Sequence, residues 1–414
     1  MTCARPLGLF QGYGIELEYM IVERGSLAVL PVADRVLRTR EGVVVDELEA
    51  GPLCWSNELA LHVVELKTNG PVPSLSGLAN VFTEHVARVN RLLAPLGGRL
   101  MPTAMHPLMD PERETRLWPH GNRAVYETYD RIFGCTSHGW ANLQCIHLNL
   151  PFSGDEEFGR MHAAVRLLLP ILPALAASSP VMEGEVTGIL DNRLDTYRTN
   201  QWRIPSITGR VIPERVFTRR EYRERILGPI YRDLGPHDPG GTLRHEWVNS
   251  RGAIARFDRS TIEIRLPDMQ ECPAADLAVF SLVVSALKGL AGEVHAPLSA
   301  QQEWEVNPLE RILLLTIREG EAARIEDRRY LETFGFPEES ATAGELWRHL
   351  ARSAWGEGFP PDGELHTAAE TILSEGPLAR RILRALGDSP SARRIREVYR
   401  TLCSCLEEGR IFRP

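Results

Sequence analysis

Three short segments of the chain alternate apolar and polar side chains with a period of two: "GIELEY" beginning at Gly14, "CIHLNL" beginning at Cys145 and "TIEIRL" beginning at Thr261. Successive side chains of a strand point to opposite faces of its sheet, so each segment carries one apolar and one polar face. Ile15, Leu17 and Tyr19 oppose Glu16 and Glu18; Ile146, Leu148 and Leu150 oppose Cys145, His147 and Asn149; Ile262, Ile264 and Leu266 oppose Glu263 and Arg265. Three strands therefore present two acids, an imidazole, an amide, a third acid and a guanidinium from one kind of surface.

Carboxylates side by side repel and cost desolvation. Several of them converging with a histidine suit a hard divalent cation such as Mg2+, whose charge relieves the repulsion between Glu16 and Glu18. A fourth segment, "NELALHVVELKT", adds Glu58 and Glu65. Seven residues apart, these two cannot share a face of one continuous strand, so a bend or loop is expected between them. Each feature has a bland counterpart. A polar-faced strand is often the solvated side of an antiparallel sheet, a lone histidine is more often a hydrogen-bonded, half-buried residue, and Glu263 with Arg265 makes an ordinary surface pair. The combination favours a site.

The 414 residues suffice for one large or two ordinary domains, at about 100 to 200 residues each. Residues 1–70 read as strands and turns. "SLSGLANVFTEHVARVNRLLAPLGG" reads as a helix capped by Ser74 or Ser76 and stopped at Gly97, "NRAVYETYDRIFG" as a helix, and Phe158 to Ser178 as a second long helix. Residues 180–250 read as functional loops, with 199–250 as a candidate lid and "GPHDPGG" as a turn. "ADLAVFSLVVSALKGLAGEV" is an apolar helix, and beyond residue 300 only helical patterns survive. The apolar run "AAVRLLLPILPALAASSP" contains Arg166 and two interior prolines and reads as a buried helix rather than a membrane span. "MTCARPLGLF" reads as too short and too weakly apolar for a secretory signal, which points to the cytoplasm. The seven cysteines lack CxxC spacing, which argues for reduced thiols. A net charge of -8 disfavours a nucleic-acid surface, and no P-loop or GxGxxG helix start is found.

"GIELEYMIV", "MHPLMD", "CIHLNL", "SSPVMEGEVTGILDNRLDTYR" and "RSTIEIRLPD" occur in the order and approximate spacing of the glutamate–cysteine ligase type 2 family, which the chain resembles over roughly residues 10–295. The resemblance implies an α+β, glutamine-synthetase-like catalytic fold: a curved, mainly antiparallel sheet backed by helices, spanning residues 1–295, with a helical C-terminal region, 296–414, packed on it. It implies ATP-dependent joining of the γ-carboxylate of glutamate to the amine of cysteine, with Mg2+ or Mn2+ as the metal. Positions matching the family's metal ligands are Glu16, Glu18, Glu58, Glu65, His147 and Glu263. Arg265 and Arg193 match catalytic contacts, and Arg265, Arg198 and Arg256 nucleotide contacts. The partners implied are small-molecule substrates, glutamate and cysteine or another amine, with no nucleic acid and no membrane, and a homo-oligomer left open. Asn149 stands where many members carry a second histidine.

A carboxylate is a poor electrophile, and in the family mechanism phosphorylation by ATP turns it into an acyl phosphate that the amine displaces. Positioning and charge stabilisation are then the protein's main contributions. The rival expectations are a ligase of the same fold using another amine or a peptide, a guanidino-kinase-like phosphotransferase, and a non-catalytic nucleotide sensor.

Overall fold

The computed structural model describes residues 7–355 and 363–414. Its centre is an eight-stranded sheet: β1 (Gly14–Glu23), β2 (Glu47–Glu49), β3 (Leu53–Asn57), β4 (Val63–Thr68), β5 (Gly98–Met101), β6 (Ile146–Pro151), β7 (Ala253–Arg256) and β8 (Thr261–Ile264). The order is β2-β3-β4-β1-β6-β8-β7, with β5 paired to the far end of β1, and every pairing is antiparallel.

The two sides of the sheet divide as the period-two pattern requires. Ile15, Leu17, Tyr19, Leu66, Ile146, Leu148, Ile262 and Ile264 face a continuous apolar core and are fully or almost fully buried. Burying one such side chain contributes about 1.5 to 3 kcal/mol. The core is shared with helices α1 (Leu78–Leu93), α3 (Gly154–Leu168) and α5 (Pro273–Ala291); α2 (Arg123–Phe133) adds Tyr129, Ile132 and Phe133. α1 begins after Gly77, which takes the left-handed conformation at the cap position. The second long helix ends at Leu168, ten residues earlier than its pattern suggests. Pro170 and Pro173 break it into shorter turns, since a proline inside a helix removes a hydrogen bond and clashes with the preceding turn.

The most membrane-like segment is α5, long and apolar enough to cross a bilayer at a mean hydropathy of 1.7, and not the run at 163–180. Most of its most apolar stretch, 78%, is buried inside the protein, where it is the helix against which the sheet and the later helices pack. The middle of the chain is less irregular than its sequence suggests, with α4 (Asn192–Tyr197) and short helical turns around residues 219–234.

Beyond α5 come α6 (Val306–Glu319), α7 (Ala343–Trp355), α8 (Gly363–Glu375), α9 (Leu378–Leu386) and α10 (Ala392–Glu408). Contrary to the all-helical expectation, Arg324–Ile325 and Ala341–Thr342 form a small antiparallel ladder. α9 and α10 pack onto the sheet beside β5, where Ile382, Leu386, Ile395, Val398, Tyr399 and Leu402 meet Met20, Val22 and Met101. Arg381 of α9 is fully buried with Glu271 and donates to the Phe412 carbonyl at 2.7 Å, tying the C-terminus to the start of α5.

Candidate active site

The antiparallel register turns the polar faces of separate strands into neighbours. Glu16 lies opposite His147 on β6 and Lys67 on β4, and Glu18 opposite Glu65. Ser56 on β3 lies opposite Glu65, and Glu263 on β8 opposite Asn149. Gly14 is the residue across from Asn149 on the other side, and a side chain there would meet the Asn149 Cβ at 3.0 Å. The glycine leaves Asn149 room to turn its amide to Glu16.

Glu58 and Glu65 meet because β3 and β4 are a hairpin rather than one strand. With Ser56 opposite Glu65, residue 58 falls on the same face just beyond the end of β3, and the turn at 59–62 is the interruption that the spacing demands.

These side chains form a connected network. His147 Nδ1 lies 2.8 Å from Glu16 Oε2, and Asn149 Nδ2 donates to Glu16 Oε1 at 3.0 Å. The Cys145 backbone N–H donates to Glu18 Oε2 at 2.8 Å, and Ser56 Oγ donates to Glu65 Oε1 at 2.6 Å. Lys67 Nζ sits 3.3 Å from Glu65 and 2.7 Å from Glu47. Arg265 Nε donates to Glu263 Oε1 at 3.1 Å, and Arg256 Nη1 reaches the other oxygen at 3.5 Å. Glu18, Glu65 and Glu263 expose only 7%, 5% and 3% of their surface, so this is not the solvated side of a sheet. The face lines a cavity of about 360 Å3 that is also lined by Tyr126, Tyr129, Trp140, Tyr197 and Trp247. A second cavity of about 590 Å3, beside Gly12–Ile15 and residues 68–71, meets the first at Glu16, Lys67 and Arg259.

The electrostatics divide the acids into two kinds. Burial raises the Glu16 carboxyl, but His147 and Lys67 outweigh it and leave it lowered to about 2. Glu263 is likewise lowered, because Arg265 outweighs burial. Glu58 is pushed well above the ordinary carboxylate range by burial and by Glu18 and Glu65, and Glu65 rises to about 7 through burial and Glu16. Burial works against a charged His147, yet Cys145, Glu16 and Glu18 hold it well above its usual range. Oxygen atoms of Glu18, Glu58 and Glu65 lie within 4.8 Å of one another, as do ligand atoms of Glu16, Glu65 and His147. Two full charges at that distance repel by about 3 kcal/mol at an effective dielectric of about 20. A buried, mutually repelling set of carboxylates with an imidazole beside it is the donor chemistry that a hard divalent cation fits.

Among the expected site residues, Glu16, Glu18, Glu58, Glu65, His147, Glu263, Arg256 and Arg265 all line the 360 Å3 cavity. Two arginines are placed differently. Arg193 edges the cavity, but its side chain is buried and bound to Asp268 and the Leu266 carbonyl. Asp268 also accepts from the Ser178 N–H at 2.7 Å and from Ser179 Oγ at 3.0 Å, so this arginine clasps "SSP" to the strand end. Arg198 does not line the cavity, although its neighbour Tyr197 does; its Nε donates to Asp195 at 2.9 Å on the surface. Arg251, close in sequence to Arg256, is bound to Glu214. Lys67 went unremarked in the sequence although "ELK" places it two residues beyond Glu65, on the same face of a strand. The aromatic wall had no signal of that kind, because its residues come from segments far apart in the chain.

The model of glutamate–cysteine ligase family 2 matches residues 13–401. The chain belongs to this family. It is accordingly an ATP-dependent carboxylate–amine ligase. An uncharacterized protein of Archaeoglobus fulgidus is 35% identical over 339 residues, 80% of this chain and 91% of that one. A Rubrobacter xylanophilus protein provisionally named glutamate–cysteine ligase 2-3 is 28% identical over 65% of this chain and 67% of its own. The crystal structure of the glutamate–cysteine ligase of Francisella tularensis in complex with AMP shares the fold at a TM-score of 0.63 and 11% identity, covering 95% of this chain and 88% of that one. The fold is the glutamine-synthetase-like one: antiparallel sheet, helices behind it and a polar face in front.

Proposed function

We propose that this ligase joins the γ-carboxylate of glutamate to the amine of cysteine, using ATP and a divalent ion, Mg2+ or Mn2+, held on the polar face of the sheet. The observation that carries the reading is the register that gathers Glu16, Glu18, Glu65 and His147 from three neighbouring strands, with Glu58, Glu263, Arg256 and Arg265 around the same cavity. Glu16, Glu18, Glu58, Glu65, His147 and Glu263 would hold the ion, which when bound neutralises phosphate charge.

The remaining work falls to the chain. Arg265, pinned by Glu263, and Arg256 bring two guanidinium groups to the cavity, suited to charge building on a phosphoryl group in transfer. The substrate carboxylate attacks the γ-phosphorus and ADP leaves, and the amine then attacks the acyl carbon and expels phosphate. The aromatic side chains that line the same cavity would limit water around the acyl phosphate, which otherwise hydrolyses.

Those side chains also favour a second reading. Five aromatic side chains line the cavity, more apolar surface than a cysteine side chain requires, which suits a bulkier amine. Purified protein with ATP, Mg2+ and glutamate is expected to release phosphate when cysteine is added, with γ-glutamylcysteine identified by mass spectrometry. Turnover with another member of an amine panel and none with cysteine would move the assignment to the second reading. ADP formation without an amide product would remove both.

A further inference from the structure

One side chain of the polar face has no part in a hard-ion site. Cys145 sits on the strand side of Glu18 and His147, with its Sγ 3.1 Å from His147 Nε2 and 3.4 Å from Glu18 Oε2, and Glu18 Oε1 lies 3.8 Å from the same ring nitrogen. A thiol contributes nothing to Mg2+ binding, because that ion takes oxygen ligands. We propose that Cys145, His147 and Glu18 form a separate site for a borderline-soft divalent cation of the Zn2+ class, overlapping the hard-ion site and therefore in competition with it.

Three observations carry this. The ligand set is one sulfur, one imidazole nitrogen and one carboxylate oxygen, the mixture that Zn2+ takes, and three protein ligands leave one position open in a tetrahedral shell. The spacing also fits. Bonds of about 2.3 Å to sulfur and about 2.0 to 2.2 Å to nitrogen and oxygen put tetrahedral ligand atoms about 3.3 to 3.6 Å apart; here Sγ and Nε2 lie 3.1 Å apart, Glu18 approaches the sulfur with Oε2 at 3.4 Å and the ring nitrogen with Oε1 at 3.8 Å, and one oxygen, the sulfur and the nitrogen all lie within 4.8 Å of one another. Finally, the outer partner is present: His147 directs its Nδ1 to Glu16 at 2.8 Å, the carboxylate–histidine arrangement that orients a zinc-bound imidazole through its other nitrogen. On coordination the thiol proton passes to solvent and a sulfur–metal bond forms, with no change of oxidation state. An ion seated there takes Glu18 and His147 away from the hard-ion set, so trace Zn2+ acts as an inhibitor that excess Mg2+ relieves.

The site shares residues with the proposed catalytic centre, but its test needs no turnover, so either proposal can fail alone. Co2+ serves as the probe. Added to the full-length protein, it is expected to give a sulfur-to-metal charge-transfer band in the near ultraviolet, and Zn2+ should bleach the band stoichiometrically. Cys145→Ser should abolish the band and weaken Zn2+ binding, measured against a chromophoric chelator, by about 10-fold or more, the lower end of what loss of even an outer partner costs. Cys54→Ser, which removes the thiol beside the second cavity, should leave the band in place. A wild-type protein without the band, or a band that survives in Cys145→Ser, would overturn the proposal.

Discussion

β1 crosses the molecule with one apolar face throughout, while its other face changes character midway. Glu16 and Glu18 open onto the cavity; Met20 and Val22, the next residues on the same side, are fully buried under α9 and α10. The same pleat, strand and pairing geometry thus carry a network of charged side chains at one end and plain packing at the other. The C-terminal helices are what make the difference. They fill the part of the sheet's inner face that would otherwise be an open trough, and the acids are left in a bounded pocket. The first half of the strand places charge and the second fills space, so substitutions in the two halves should fail in different ways.

The largest effect on stability is expected where the helices are anchored. Arg381→Met leaves Glu271 buried without its cation, and breaking such a pair costs about 3 to 5 kcal/mol. Chemical denaturation should show that loss. The reverse signature belongs to the polar half: Glu16→Gln and Glu263→Gln should lower turnover by about 100- to 1000-fold, near 2.7 to 4 kcal/mol in the barrier, with a smaller fall in stability than Arg381→Met shows. If Glu16→Gln instead melted the protein, the two halves of the strand would not differ in kind.

A smaller, pH-dependent contrast separates the histidines. Burial lowers His62 and His106 to about 4 and His162 to about 3, so all three are neutral in the fold. Below about pH 6.5 the unfolded chain takes up protons there and the folded chain does not. Their contribution is therefore present above that pH and lost as the pH falls toward 4, at up to about 1.4 kcal/mol per pH unit for each histidine. His147 runs the other way: held above its usual range, it contributes below pH 6.5 and loses that contribution as the pH rises through its folded value. In metal-free protein, His162→Leu should flatten the acid limb of a stability–pH curve. An unchanged limb would show that His162 does not titrate as a buried neutral group.

The polar face of the sheet was legible in the sequence because period two is a local property. "GIELEY", "CIHLNL" and "TIEIRL" each declare their faces without knowing their neighbours, and the register then had only to align them. Glu58 and Glu65 were legible as a conflict, which the β3–β4 hairpin resolves. Arg193 was legible as important and not as a clasp, since its partner Asp268 lies 75 residues away. Amphipathic helices such as α9 and α10 announce an apolar side but not what it covers. Their place on Met20 and Val22 had to come from the structure, and the aromatic wall, assembled from α2, α4 and loop residues, had no pattern to read.

In the proposed function the acids on one face of this sheet hold divalent ions against ATP. Crystals grown with Mn2+ and a non-hydrolysable ATP analogue test it directly through the anomalous signal of the metal. Mn2+ peaks are expected, bonded to oxygen atoms of Glu16, Glu18, Glu65 and Glu263 and touching the triphosphate. Nucleotide bound elsewhere, with these carboxylates still held only by protein groups such as His147, Asn149, Ser56, Lys67 and Arg265, would contradict it.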